Sequence, residues 1–317
     1  MIKVAVIGAG HFGREHARIY STLGQAHLVA VCDIDESNGR AVADRYGADF
    51  VPDYRALIGQ VDAVSLAVPT VSHHQIARDL LNARIAVLVE KPIARTLEEA
   101  DEIIESAERN KAVLQIGHLE RFNPAMIAAS RITTQPRFFE AHRLSVFTPR
   151  SLDIDVVMDL MIHDIDVVLS LVKSDVIEVR AAGVPILTPR IDIANARVEF
   201  DNGCVANLTA SRVSSERIRK LRFFQPHEYI SVDYSAQEAA TVAVRPSSEG
   251  MPKFEARLLP VERDEPLRLE IESFLQAVAG APVIVSGLEG RRALALATDI
   301  IERIREQAER AGVPFAG

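Results

Sequence analysis

The sequence predicts an α/β fold: an N-terminal doubly wound parallel sheet, then a C-terminal α+β domain with a large, open, mostly antiparallel sheet. Three observations predict it. Over roughly the first 120 residues, short continuous apolar runs alternate with helical patterns. A Gly-x-Gly-x-x-Gly lies between the first run and the first helical pattern. Beyond about residue 136 the texture changes to alternating segments, with Asp201-Asn202-Gly203 between two of them.

Taken in order, Lys3–Ile7 reads as a strand and Gly13–Leu23 as a helix. His27–Cys32 and Glu36–Tyr46 repeat the pair, as do Val61–Val68 and His73–Leu81. Ala86–Val89, the amphipathic Leu97–Asn110 and Ala112–Ile116 complete the first domain. Its apolar runs are continuous, as expected for strands buried on both faces. The boundary falls at the start of Asn123–Gln135, giving domains 1–122 and 123–317. In the second, Phe138–Phe147 reads as a strand and Val156–Val172 as a long helix. Strands follow at Ile177–Ile186, Ala194–Phe200, Cys204–Ser211, Leu221–Phe224, Tyr229–Tyr234 and Ala240–Val244. Asn202-Gly203 predicts a tight hairpin turn with positive φ at both central residues. Leu267–Val278 and Leu288–Ala311 are closing helices. There is no internal repeat or low-complexity tract.

Composition narrows the function. A length of 317 residues suits two domains of roughly 150. With 48% hydrophobic and 25% charged residues, the chain is ordinary for a globular protein. A net charge of -8 argues against a broad nucleic-acid face. No run approaches the roughly 20 apolar residues that span a bilayer, and Met1–Ile7 lacks the marks of a signal peptide. The two cysteines, Cys32 and Cys204, form no Cys-x-x-Cys pair, so they read as small buried residues. No metal is expected, and the location expected is cytoplasmic.

Gly8-Ala9-Gly10-His11-Phe12-Gly13 follows a strand and opens a helix, the context that turns a weak pattern into a dinucleotide fingerprint. Gly8 permits the tight turn, Gly10 lets the backbone approach a pyrophosphate, and Gly13 allows close helix–strand packing. Asp33, 20 positions beyond Gly13, accepts ribose hydroxyls and repels a 2′-phosphate. This favours NAD over NADP; flavin is a competing ligand of the same motif.

Three further segments carry candidate chemistry. Val89-Glu90-Lys91-Pro92-Ile93 lies past a buried run, where ligands bind in open α/β sheets. There Lys91 can polarise a substrate oxygen, or it is a surface lysine in a turn. Asp159 and His163, four apart, share one helix face. Their flanks, including Val156, Val157, Met161 and Ile162, are apolar nearly all round, so a buried carboxylate and imidazole point to a site. His163 suits the role of base. Asp164 and Asp166 frame the helix. Val68-Pro69-Thr70, with His73 and His74, lies where a loop covers a nicotinamide; the paired histidines suggest a metal only weakly. His118 and Arg121 are further cleft candidates. No Gly-x-Ser-x-Gly elbow appears, so a hydrolase is set aside.

These motifs together resemble the glucose–fructose oxidoreductase, inositol dehydrogenase and MocA (Gfo/Idh/MocA) family. The resemblance rests on Gly8–Gly13, Pro69-x-x-x-His73, Glu90-Lys91-Pro92, Arg121-Phe122-x-Pro124 and Asp159-x-x-x-His163, and covers nearly the whole chain. It implies a Rossmann domain whose cofactor-binding residues include His11, Phe12, Val68, Pro69, Thr70, His73 and Glu90. It also implies a homodimer or homotetramer formed through the open sheet. Lys91 would hold the reacting hydroxyl, His163 would act as base, and Asp159 would orient the sugar or the histidine. Gly117–Pro124 and Asp155–Asp164 are similar to one subgroup, the UDP-N-acetylglucosamine 3-dehydrogenases. That implies a nucleotide-sugar substrate, with His118, Arg121, Asn123 and Arg150 among its contacts. The alternatives are a dehydrogenase of a free sugar or inositol and a non-catalytic NAD-bound regulator. One departure is Arg84, where the family usually has glycine at a helix end.

Overall fold

A computed structural model describes residues 1–148, 154–245 and 251–312. Arg150 lies outside the described residues. The chain divides into two compact units, Met1–Leu119 with Glu265–Leu294, and Glu120–Asp264 with Ala295–Gly317.

The first unit is built on β1 (Ile2–Ile7), β2 (Ala26–Cys32), β3 (Asp49–Val51), β4 (Ala63–Leu66), β5 (Ala86–Glu90) and β6 (Leu114–Gly117), with α1 (His11–Tyr20), α2 (Glu36–Tyr46), α3 (His73–Asn82) and α4 (Leu97–Asn110) between them. All pairings in this sheet are parallel. The order β3-β2-β1-β4-β5-β6 is that of a doubly wound dinucleotide-binding sheet. β4 is buried at every position, which explains its mostly apolar sequence; its one polar residue, Ser65, shares a 2.8 Å hydrogen bond with the Tyr20 hydroxyl.

The sequence reading assigned Leu267–Val278 to the second domain. In the structure this helix, α7 (Pro266–Val278), belongs to the first unit. Its Leu267, Ile271 and Phe274 join Val4, Ala17 and Tyr20 in one core cluster. The connection after α7 returns to β6, where the Ile116 N–H donates to the Val285 carbonyl at 3.0 Å.

The second unit holds β7 (Phe138–Leu144), β8 (Val176–Val184), β9 (Ile193–Phe200), β10 (Val205–Ser211), β11 (Ile218–Gln225), β12 (Glu228–Asp233), β13 (Glu238–Arg245) and β14 (Lys253–Leu258) in the order β14-β13-β12-β11-β7-β10-β9-β8. β7 and β10 pair in parallel, and the other neighbours are antiparallel. Period-2 burial marks an inner face: Phe139, Ala141 and Arg143 of β7 point in, while Glu140 and His142 point out.

Four local expectations need correction. α5 (Pro124–Ile132) fills a segment read as a boundary; Asn123 caps it through the Ala125 N–H, and Pro124 stands at its first position. The β9–β10 hairpin has positive φ only at Gly203, with φ 80°, so the turn takes one left-handed residue instead of two. β3 and β14 are short additions that the pattern did not show. The expected helix at Val156–Val172 is a π turn, Val157–Met161, that continues as α6 (Ile162–Val172). α8 (Gly287–Arg310) closes the chain.

Candidate active site

The two units carry separate sets of candidate residues. In the first, the loops beyond the carboxyl ends of β1, β2, β4, β5 and β6 hold the Gly8 turn, Asp33, Val68, Lys91 and His118 respectively. Gly8 has φ 95°, and a Cβ there would come within 2.5 Å of the Ala67 carbonyl oxygen. At Gly13 a Cβ would lie 1.6 Å from the Gly8 oxygen, so α1 reaches the turn only because that residue has no side chain. Gly10 has open space where its Cβ would be. It caps α1 without any side-chain hydrogen bond. The first N–H groups of α1 therefore keep their donors for a ligand, and the positive dipole end faces it. These features fit a dinucleotide pyrophosphate. His11 and Phe12 stand exposed at the same helix end.

Asp33 does more than the sequence reading proposed. One carboxylate oxygen accepts from the Ala9 N–H at 2.5 Å and the other from the Asp35 N–H at 2.8 Å. The Asn38 amide donates to the Ala9 carbonyl at 2.9 Å. Asp33 thus braces the glycine turn and retains lone pairs for a ribose.

His73 is 1% exposed, and its ring nitrogens lie 3.0 Å from the Pro92 carbonyl and 2.9 Å from the Val68 carbonyl. It ties the β4 loop to the Lys91-Pro92 turn. Burial lowers its pKa against the pull of both carbonyls. His74 lies 3.0 Å from Glu102, so the two neighbouring rings have separate partners. At Glu90, the residue before Lys91, Oε1 lies 3.0 Å from the buried His16 Nε2. Glu270 of α7 completes a cluster whose potential ligand atoms all lie within 4.8 Å of one another. The sequence reading missed His16 and Glu270. The signal was available for Glu270, because Leu267, Ile271 and Phe274 put it on the apolar side of its helix. Lys91 is half-buried, and His118 is buried at 1% exposure. Burial and then Asp33 push the Cys32 thiol up to about 12, and burial pushes Cys204 up to about 11, so both are inert.

In the second unit, Asp159 sits in the π turn and His163 in the first turn of α6, both half-buried. Extra-wide turns of this kind recur at functional sites. Asp164, the next residue, is 2% exposed and accepts two hydrogen bonds from Arg143, at 2.8 and 2.9 Å. Arg143 also donates to Glu120 at 2.8 Å and lies over the Tyr234 ring. Burial works against its charge, and Asp164 and Glu120 more than offset that, so its pKa lies above the usual arginine value. Arg121 pairs with Asp166 at 3.5 Å. Asn123 uses its amide within the protein, donating to the Tyr234 carbonyl at 3.1 Å while it caps α5. Glu120 and Arg143 also escaped the sequence reading, although period-2 alternation along β7 puts Arg143 inward.

A family model described as an oxidoreductase family with NAD-binding Rossmann fold matches residues 2–118, and the GFO/IDH/MocA C-terminal domain matches residues 128–224. The chain belongs to the Gfo/Idh/MocA oxidoreductase family. As a member, it is 39% identical over 308 residues to a UDP-N-acetylglucosamine 3-dehydrogenase of Acidithiobacillus ferrooxidans, covering 94% of this chain and 96% of that one. A crystal form of that enzyme superposes with a TM-score of 0.90 over 96% of this chain and 97% of that one, at 38% identity. An inositol 2-dehydrogenase of Rhizobium meliloti is 27% identical, covering 97% of this chain and 98% of that one. No helix among the described residues is long and apolar enough to cross a membrane.

Proposed function

We propose that this Gfo/Idh/MocA oxidoreductase oxidises the 3-hydroxyl of UDP-N-acetylglucosamine to a 3-keto group with NAD. The observation that carries the reading is the 39% identity, over 94% of the chain, to an enzyme of that name. Lys91, Asp159 and His163 all stand at their motif positions, which argues against a non-catalytic regulator. When bound, NAD supplies the hydride acceptor for the substrate carbon. Lys91 holds the hydroxyl oxygen. His163 takes the hydroxyl proton, and Asp159 orients that imidazole or the sugar. Gly8, Gly10, Gly13 and Asp33 hold the dinucleotide, with Val68, Pro69 and Thr70 in the loop that His73 anchors. NAD is favoured over NADP because the Asp33 carboxylate repels a 2′-phosphate.

The partner surface belongs to the second unit. The outer face of its sheet carries an aromatic line, with the ring of Phe224 6.0 Å from Phe138 and 5.1 Å from Tyr229. Phe254 and Leu258 extend the apolar surface at 70% and 75% exposure. We assign the expected homodimer or homotetramer to this face.

The test is absorbance at about 340 nm, where reduced nicotinamide absorbs, with protein, NAD and UDP-N-acetylglucosamine. An aminotransferase with glutamate draws off the ketone. Absorbance rises, and Lys91→Ala or His163→Ala lowers the rate by about 10² to 10⁴ while NAD still binds. No signal with UDP-sugars but turnover of inositols or free sugars would replace the substrate assignment. Asp33→Ala weakens NAD more than NADP.

A further inference from the structure

β11 pairs antiparallel with β7, and the register sets Arg219 directly opposite Arg143. Alternation along β11 puts Arg219 on the inner face with Leu221 and Phe223, the face that also carries Arg143. Two guanidinium groups directly opposite on one face repel each other. Arg143 bonds both Asp164 and Glu120 directly. The Arg219 side chain bonds neither: among the described residues it makes no hydrogen bond or ion pair, and its buried Nε faces no acceptor. The outward cations of the same strand are matched, Lys220 with Asp233 at 3.4 Å and Arg222 with Glu140 at 3.0 Å. The unmatched guanidinium of this strand is therefore on the inner face.

Burial, then Arg143, then the more distant Arg217 lower the Arg219 pKa, with only Glu120 and Asp164 acting the other way. A half-buried guanidinium whose donors find no acceptor is costly to keep. Here it stands near chemistry, because its cross-strand partner Arg143 bonds Asp164, the residue after His163. Arg217, two residues earlier, is exposed and supplies a second positive charge; the adjacent Glu216 is exposed as well.

We infer that Arg219, assisted by Arg217, binds the diphosphate of the nucleotide-sugar substrate. The inference rests on the nucleotide-sugar reading. Two guanidinium groups match the two negative charges of a diphosphate, and the planar fork of each bonds phosphate oxygens in pairs. A neutral polyol offers nothing to such a pair. The dinucleotide's own pyrophosphate is held elsewhere, at the Gly8–Gly13 turn of the first unit.

The test measures binding without turnover. UDP, and uridine as its phosphate-free counterpart, are titrated by calorimetry into the full-length protein saturated with NAD. Wild type binds UDP at least about tenfold more tightly than uridine. Arg219→Gln weakens UDP about ten- to a hundredfold. It leaves uridine and NAD unchanged and does not lower Tm, since the side chain makes no hydrogen bond or ion pair within the described residues. Arg217→Gln weakens UDP less, and Arg219→Lys retains most of the affinity. Unchanged UDP affinity in Arg219→Gln would overturn the inference. So would equal binding of UDP and uridine by wild type, or a fall in Tm with UDP affinity kept. If UDP binding depends on Arg219 but UDP-N-acetylglucosamine is not oxidised, the diphosphate subsite stands and the substrate assignment fails. If that sugar is oxidised with the same KM in Arg219→Gln, the substrate assignment stands and the subsite fails.

Discussion

Replacing Arg143 by methionine isolates the buried ion network beneath the Asp159–His163 segment. The side chain is 2% exposed and donates three charge-assisted hydrogen bonds of 2.8 to 2.9 Å, to Asp164 and Glu120. Methionine fills similar length and donates none. Two carboxylates, with side chains 3% and 8% exposed, are then left without their cation. Removing one partner of a buried network costs about 3 to 5 kcal/mol. A unit of roughly 170 residues unfolds with an entropy of about 0.35 kcal/mol/K, so a loss of about 4 kcal/mol lowers Tm by about 11 °C. Thermal unfolding followed by circular dichroism measures this, with NAD affinity as the control for the first unit. Adding Asp164→Asn and Glu120→Gln recovers part of the loss, because no carboxylate then stays stranded. A drop of less than about 3 °C would place this network with exposed surface pairs and refute the reasoning.

Three more expectations come from the first unit. Gly13→Ala pushes a methyl group into the Gly8 carbonyl, 1.6 Å from its Cβ position, and weakens NAD about a hundredfold in fluorescence titration; near-normal affinity would show that the turn relaxes freely. Arg84 holds φ at 61° at the end of α3, so Arg84→Gly stabilises by about 0.5 to 1 kcal/mol in urea unfolding, and a loss would contradict that. For His73, burial lowers the folded pKa. The folded chain then holds fewer protons there than the unfolded chain, so its stability is present above about pH 6.5 and is lost as pH falls toward the lowered value. Urea midpoints at about pH 7.5 and 5.5 show the loss in wild type and a smaller one in His73→Gln; equal losses would assign the effect to other groups.

Local signals were legible wherever the chain's own chemistry decides the outcome. Glu36–Tyr46 and Leu97–Asn110 read from the sequence match α2 and α4 residue for residue, because periodicity is framed there by capping residues Asp35 and Thr96. α5 was missed although Asn123-Pro124 is a helix-start signature, because its small, mostly apolar residues give a weak polar–apolar contrast. The Gly8–Gly13 turn was legible, and Lys91, Asp159 and His163 could be nominated, because each stands in a short motif whose spacing carries chemical meaning.

The sequence by itself therefore determined the fold class and the glycine turn, and it nominated Lys91, Asp159 and His163 as catalytic candidates. Tertiary structure decided the rest. It placed α7 with the first unit, bound His73 to two carbonyls, clustered His16 with Glu90 and Glu270, and set Arg219 opposite an Arg143 that bonds both nearby carboxylates. The physical reason is common to all four. Each depends on contacts between residues far apart in the chain, where burial and a specific partner fix what a charge does, and neither periodicity nor spacing along one segment contains that information.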